Sequence, residues 1–399
     1  MMRALDIAVA GCGPGGLAAA LLLHRDGHRV TMFERFDAPR PIGSGLMLQP
    51  TGLAVLHRLG LRDAAVGCGA RIDRLVGQAG MRTVLDVRYA ALGSGAHFGV
   101  GIHRAALFGV LHEAVGAAGI TVETSRTITA STERGGKRWL GFEGGAEAGP
   151  FDLVVDMLGS RTPLTADTGR DLAYGALWAT LDWPEDGPFD VHALQQRYRA
   201  ASVMAGVLPV GTVPGSGAAK AAFFWSLRAD RLAGWRTAGL EAWKADAAAL
   251  WPETAPLLAQ IGDAGQLTFA RYAHCTLARP AARGLIHLGD AWHSASPQLG
   301  QGANMALLDA WALALALRRE GDPDAAIMRA VALRRRHVRL YQWLTALFTP
   351  VYQSDSRVLP FVRDRLVGPL SKLWPATRIQ AAMVGGLVGN PLGPLELAA

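Results

Sequence analysis

The sequence predicts an α/β fold: a Rossmann-like nucleotide-binding domain, an inserted β-sheet domain and a helical C-terminus. Three observations lead there. A glycine-rich turn, Gly11-Cys12-Gly13-Pro14-Gly15-Gly16, joins an apolar run to a helix-like run near the N-terminus. A second such stretch, GLIHLGDAWHSASPQLGQGANMALLDA at 284–310, again places a turn and an acid between an apolar run and a helical pattern. Between them, residues 171–270 break into short β-branched and aromatic runs, and after about residue 324 the chain turns helical and basic.

The chain has 399 residues, 50% of them hydrophobic, which is enough for a sizeable core and more than one average domain. Lysine plus arginine exceed the acids by 40 − 33 = 7. That excess suits an anionic small molecule or simple solubility, and no nucleic-acid motif accompanies it, so DNA or RNA is not an expected partner. Cys12, Cys68 and Cys275 are far apart and form no C-x-x-C pair. The pattern fits a reducing, cytoplasmic setting, with no metal site expected. Val9-Ala10-Gly11-Cys12 resembles a lipoprotein cleavage box, but the longest apolar run follows Cys12, so no export signal is read. No apolar stretch reaches the roughly 18–20 residues of a membrane span.

Residues 5–10 read as a buried strand, Leu17 to Arg25 as a helix, and Arg29–Phe33 as a second strand ending at Glu34. G-x-G-x-x-G within strand, turn, helix, strand and acid is a dinucleotide fingerprint. Gly11 allows the tight turn, Gly13 lets backbone approach a pyrophosphate, and Gly16 lets the helix pack on the strand. Pro14 and Gly15 open the helix, whose free amides and dipole attract phosphate. Glu34 would accept hydrogen bonds from a ribose. An acid there disfavours a 2′-phosphate, so FAD or NAD fits better than NADP.

With these motifs in hand, residues 1–60 resemble the flavoprotein monooxygenases related to para-hydroxybenzoate hydroxylase. Members follow the acid with an arginine, here Glu34-Arg35, then carry a glycine-rich segment, here Gly43 to Pro50, and a helix, here Leu53 to Gly60. The stretch Ile102-His103-Arg104 resembles the family's arginine-plus-leucine pattern. Read alone, Arg104 is a helix-start arginine; the resemblance implies that it reaches the flavin side of the cofactor. The stretch at 284–310 resembles the second family fingerprint. That implies Asp290 on the ribityl chain of FAD, Pro297, Gly300 and Gly302 beside the isoalloxazine, and the positive end of the helix from Ala303-Asn304 at the flavin's pyrimidine edge. His293 reads as a structural part of this fingerprint. Trp292 replaces a usually small residue and would narrow the space beside the flavin.

The third fingerprint departs from the family form. After the strand at 151–155, Leu158 stands where an aspartate is usual and Thr165 where an arginine is usual. Asp156, Gly159 and Thr162 fit a looser D-x-x-G-x-x-S form, which leaves the manner of NAD(P)H use open.

In the middle region, the runs at 174–182, 202–209 and 221–227 read as strands and 240–262 as a helical connector. The resemblance implies a sheet roofing the flavin, with Trp178, Phe224 and Trp225 as pocket candidates; core packing is the competing role for each. Around Arg339 to Phe348 and Arg357 to Arg363 the tail resembles ubiquinone-biosynthesis hydroxylases. That implies contact with a membrane surface or a partner, against the alternative of packing on the nucleotide-binding domain.

The expected organisation is a discontinuous FAD-binding domain (1–70, 100–170 and 271–323), a β-rich substrate domain (71–99 and 171–270) and a helical C-terminal region (324–399). The function implied is insertion of one oxygen atom from O₂ into an apolar aromatic or polyene small molecule through a flavin hydroperoxide. FAD is held noncovalently and NAD(P)H visits as reductant. Alternatives on the same scaffold are an oxidase, dehydrogenase or reductase, or a flavin-binding sensor. No general base and no oligomeric state are read.

Overall fold

The structure, a computed structural model, describes residues 3–38, 44–93, 97–167 and 169–398; Gly43 lies outside the described residues. Its centre is a six-stranded sheet in which Asp6–Ala10 runs parallel to both Arg29–Phe33 and Leu153–Asp156. Leu285–His287 extends it beside Leu153–Asp156, and Thr121–Glu123 beside Arg29–Phe33. Alternation along the first strand explains both faces. Ile7 and Val9 pack against Leu17 and Leu21 of the helix Pro14–Arg25 and against Leu307 and Leu308 of the helix Gly302–Arg319. Ala8 and Ala10 point the other way, onto Leu140 and Phe142 of a three-stranded meander. The sheet is thus covered by helices on one face and strands on the other, so its C-terminal edge, where the glycine turns sit, is left for a ligand.

A seven-stranded sheet forms the second layer, in the order 268–274, 170–182, 219–228, 203–212, 193–199, 74–79, 82–88. The strands expected in the middle region are present and longer, as Arg170–Asp182, Val203–Thr212 and Ala219–Arg228. Strands from 71–99 join it because Arg74–Ala79 pairs in parallel with Ala193–Arg199. One face packs under the helices Leu232–Ala238 and Leu240–Leu250 through Trp243 and Trp251. The other face turns toward the nucleotide-binding layer. There a glycine permits close approach: a Cβ on Gly45 would sit 2.5 Å from Val210 Cγ1.

The tail is helical, led by Pro323–Tyr352. Arg363 fastens it, donating to the carbonyls of Val351 and Ala200 (both 3.1 Å) while its guanidinium lies 4.9 Å from the Tyr198 ring and 5.3 Å from that of Tyr352. The helix Ala376–Val384 then returns over the second sheet, where Ala381 and Val384 pack with Met47, Tyr89 and Phe224. Among the described residues, no helix is long and apolar enough to cross a membrane.

Candidate active site

The first glycine turn is shaped by backbone crowding on one side and open space on the other. Gly11 has φ +103°, and a Cβ there would lie 2.7 Å from the Met157 carbonyl oxygen. At Gly16 a Cβ would lie 2.1 Å from the Gly11 carbonyl oxygen, so only glycine lets the helix start this close to the strand. Gly15 is confined by Met157 and Ala306. Gly13 is different: it is exposed, and a Cβ there would meet nothing within 4 Å. It caps the helix from Pro14 without a side-chain acceptor, so the first-turn amides face that open space.

Glu34 ends the second strand and leans over this turn. Its Oε2 accepts from the Cys12 amide (3.1 Å) and its Oε1 from the Phe36 amide (3.2 Å). Arg35 is exposed, with its guanidinium 4.7 Å from the Phe36 ring. On the far side, Arg104 opens the helix Arg104–Ala117, capped by His103, whose Nδ1 accepts from the Ala105 amide (3.1 Å). The Arg104 charge is near enough to act on both the Asp290 carboxyl and the Tyr272 hydroxyl.

Asp290 follows Gly289, whose φ is +57°. Its side chain is open to solvent yet ringed by protein. That surrounding lifts the carboxyl above its usual range, with Asp309 adding to the rise and His293 and Arg104 opposing it. A Cβ on Gly302 would lie 3.9 Å from Asp290 Oδ1, so the N-terminus of the helix Gly302–Arg319 meets the acid directly. Pro297 is exposed, and Gly300, in the left-handed region at φ +61°, turns the loop against Met47. Ala303 is half-buried.

Asn304 lies in the first turn of that helix. Its side chain is fully buried and spent within the protein: Oδ1 accepts from the Gln49 amide (2.8 Å), and Nδ2 donates to the carbonyls of Met47 (2.9 Å) and Gly300 (3.0 Å). It ties the strand Gly45–Leu48 to the glycine loop, leaving only its backbone for a ligand.

On the inner face of the second sheet, the cross-strand neighbours Trp178 and Phe224 meet in a tilted contact, with ring centroids 4.8 Å apart and planes inclined by 35°. A Cβ on Gly206 would lie 2.1 Å from the Phe224 ring, so that glycine lets the ring lie flat on the sheet. The Tyr272 hydroxyl accepts from Trp178 Nε1 at 3.3 Å, and burial pushes its pKa up to about 12, so it stays protonated. Tyr272 was not singled out from the sequence. The available signal was alternation in Thr268–His274, where Phe269 faces the helices and Tyr272 the opposite side.

Two pocket candidates move elsewhere. Trp225 has the opposite parity to Phe224 and packs edge-on against Trp243 (6.1 Å) on the outer face. Trp292 is buried in the main core and lines a cavity of about 200 Å³ with Arg335, Val338 and Arg339 of the tail helix. Neither belongs to the Trp178–Phe224 face. The altered third fingerprint is also occupied internally: buried Asp156 accepts from the Leu158 amide (3.0 Å) and the Thr162 hydroxyl (2.6 Å), and pairs with His287 Nδ1 (2.6 Å).

The donor set fits FAD. An open glycine cradle with free helix amides, an acid over the turn and a second accessible acid beside another helix N-terminus lie along one sheet edge. They suit the pyrophosphate, a ribose and a polyol respectively.

Comparison with known proteins agrees. Residues 4–137 match a family described as an FAD binding domain. The chain is 30% identical over 357 residues to 3-amino-4-hydroxybenzoate 2-monooxygenase of Streptomyces cremeus, covering 83% of this chain and 84% of that one. It is 28% identical over 359 residues to AqdB1 of Rhodococcus erythropolis, a candidate 2-heptyl-3-hydroxy-4(1H)-quinolone synthase, covering 84% and 86%. In structure it is similar to Klebsiella pneumoniae HpxO complexed with FAD, with a TM-score of 0.78 at 20% identity over 98% of this chain and 100% of that one.

Proposed function

Because the chain belongs to the FAD-dependent aromatic hydroxylases related to para-hydroxybenzoate hydroxylase, we propose that its substrate is a flat, uncharged aromatic made electron-rich by a hydroxyl or amino group. The observation that carries this reading is the Trp178–Phe224–Tyr272 face, which offers two adjoining aromatic rings and one protonated hydroxyl. Stacking suits a mono- or bicyclic ring, and the Tyr272 O–H orients one polar substituent. The names of the relatives, an aminohydroxybenzoate monooxygenase and a candidate quinolone synthase, share the electron-rich aromatic ring; the first substrate also carries a carboxylate, so the uncharged part of the reading rests on the Trp178–Phe224–Tyr272 face and not on that relative.

FAD, when bound, supplies the redox chemistry that activates O₂ at the expense of NAD(P)H. The protein's own part is placement. The amides after Gly13 take the pyrophosphate, with Gly11, Gly15 and Gly16 allowing the turn. Glu34 takes the ribose, with Arg35 and Arg104 flanking. Asp290 takes the ribityl chain, and Pro297, Gly300, Gly302 and Ala303 form the wall beside the ring. The test is NAD(P)H consumption by the purified yellow protein with 4-hydroxyquinolines and aminophenols. Stimulated consumption with a product heavier by one oxygen atom supports the reading. Stimulation only by anionic or aliphatic compounds contradicts it.

The reading extends to where the substrate comes from. The tail exposes Phe361, Leu370 and Trp374 (80% exposed) among exposed Arg357, Arg365, Lys372 and Arg378. Apolar side chains interleaved with cations suit an anionic bilayer surface. Co-sedimentation with anionic phospholipid vesicles, lost in Trp374→Ser, supports peripheral contact; equal sedimentation with neutral vesicles contradicts the electrostatic part.

A further inference from the structure

Behind the second glycine turn lies a buried run of polar groups that the cofactor reading does not use. Asp309, on the helix Gly302–Arg319, is 0% exposed, and Arg334, on the helix Pro323–Tyr352, is 1% exposed. Asp309 Oδ2 accepts from the Gly289 amide (3.0 Å) and from His293 Nε2 (2.6 Å), while Oδ1 accepts from Arg334 Nε (2.7 Å). Arg334 also donates to His337 Nδ1 (3.0 Å). An arginine cannot accept, so His337 carries its proton on Nε2 and donates it to the Gly386 carbonyl (3.0 Å). The run therefore links the Gly289–Asp290 turn to the returning tail.

Gly289 is the residue whose backbone direction decides where Asp290 points, and it sits in the left-handed region at φ +57°. Its amide has a buried carboxylate as acceptor. Such a carboxylate is held only while its counter-charge and hydrogen bonds are complete; removing one partner leaves an uncompensated buried charge. The orientation of the turn thus depends on Asp309, and that of Asp309 on Arg334.

We infer that Asp309 is a positioning residue for FAD binding: through the Gly289 amide it orients the Asp290 carboxylate, and Arg334, from the tail, holds Asp309 in place. The inference rests on the reading of Asp290 as a cofactor ligand. It adds that the tail, outside every fingerprint, is part of the machinery that retains the flavin. The competing account is an ordinary core ion pair that stabilises the fold without steering the turn.

A double-variant cycle separates the two. Apoproteins of the wild type, Asp290→Ala, Asp309→Asn and the double variant are titrated with FAD, and their melting temperatures are recorded without FAD. Asp309→Asn is expected to weaken FAD binding about tenfold. The double variant is expected to bind no more weakly than Asp290→Ala alone, because the path through Asp290 is already gone. Fold-changes that multiply, or unchanged FAD affinity in Asp309→Asn, overturn the inference even if the melting temperature falls. Unchanged affinity in Asp290→Ala instead brings down the underlying reading of Asp290, and the inference with it. Should Asp309→Asn fail to fold, the same cycle is run with Arg334→Lys, which keeps a charge opposite Asp309 but loses the guanidinium fork. Weakening that disappears in the Asp290→Ala background supports the inference, and weakening that persists there overturns it.

Discussion

The carboxylate of Glu34 reaches back across the fingerprint to the amide of Cys12, with Oε2 to N at 3.1 Å. The acid that ends the second strand is thereby fixed over the turn that ends the first. Glu34→Ala is expected to weaken FAD binding about ten- to a hundredfold, the size of a lost charge-assisted hydrogen bond. Glu34→Gln keeps one acceptor and should lose less. Fluorescence titration of the apoproteins measures both; equal affinities in all three remove Glu34 from the site.

Gly13 and Gly16 predict opposite outcomes for the same substitution. Gly13→Ala adds a methyl to open space at φ −69°, an ordinary backbone conformation, so the apoprotein should melt as the wild type does while FAD binding weakens. Gly16→Ala drives a Cβ to 2.1 Å from a backbone oxygen, and should cost at least the about 1–3 kcal/mol of ordinary overpacking. Melting curves with and without FAD distinguish the two. A destabilised Gly13→Ala apoprotein would contradict the open cradle.

The two faces of the second sheet should separate function from stability. Tyr272→Phe removes the inner-face hydroxyl, and is expected to raise KM about two- to tenfold, the worth of a typical hydrogen bond, with FAD content unchanged. Trp225→Ala empties a core position on the outer face, and should cost about 3–5 kcal/mol of stability with little change in KM. Steady-state kinetics and thermal melts on both variants decide the matter; a KM effect confined to Trp225→Ala would reverse the assignment of the faces.

His337 sets a pH dependence. Burial, with the Arg334 charge adding to it, lowers its pKa from 6.5 to about 3, while its bond to the Gly386 carbonyl and the Asp309 charge oppose the shift. Between those values the unfolded chain binds a proton that the folded chain refuses. The contribution is therefore complete above about pH 6.5 and is lost as pH falls toward 3. Near the middle of that window the slope approaches about 1.4 kcal/mol per pH unit. Asp309, held at about 2 against an ordinary 3.8 by His293 and Arg334 despite its burial, adds a second loss as pH falls from about 3.8 to about 2. Melting from pH 8 down to 5 should fall more steeply in the wild type than in His337→Gln. Parallel curves would contradict a neutral buried His337.

Local features of the site were legible in the sequence because their causes are local. Gly11, Gly13 and Gly16 act on neighbours a few residues away, and Asp290 stands next to the glycine that aims it. The parity that puts Phe224 and Trp225 on opposite faces was also present, but which face meets the cofactor depends on how two sheets pack. Asn304 read as the start of a helix facing the flavin, yet the Gln49 amide that its side chain serves is 255 positions away. Arg334 read only as part of the basic run Arg334-Arg335-Arg336; folding brings it to Asp309 (2.7 Å), beyond the reach of any spacing rule.

The most direct test of the central claim follows the oxygen. Purified holoprotein is supplied with NAD(P)H, a stimulating aromatic substrate and isotopically labelled dioxygen, and the product is weighed by mass spectrometry. Monooxygenation predicts one labelled oxygen atom in the product and the other in water. A dehydrogenated product without label, or hydrogen peroxide formed with the substrate unchanged, would contradict it and point to a dehydrogenase or oxidase on the same scaffold.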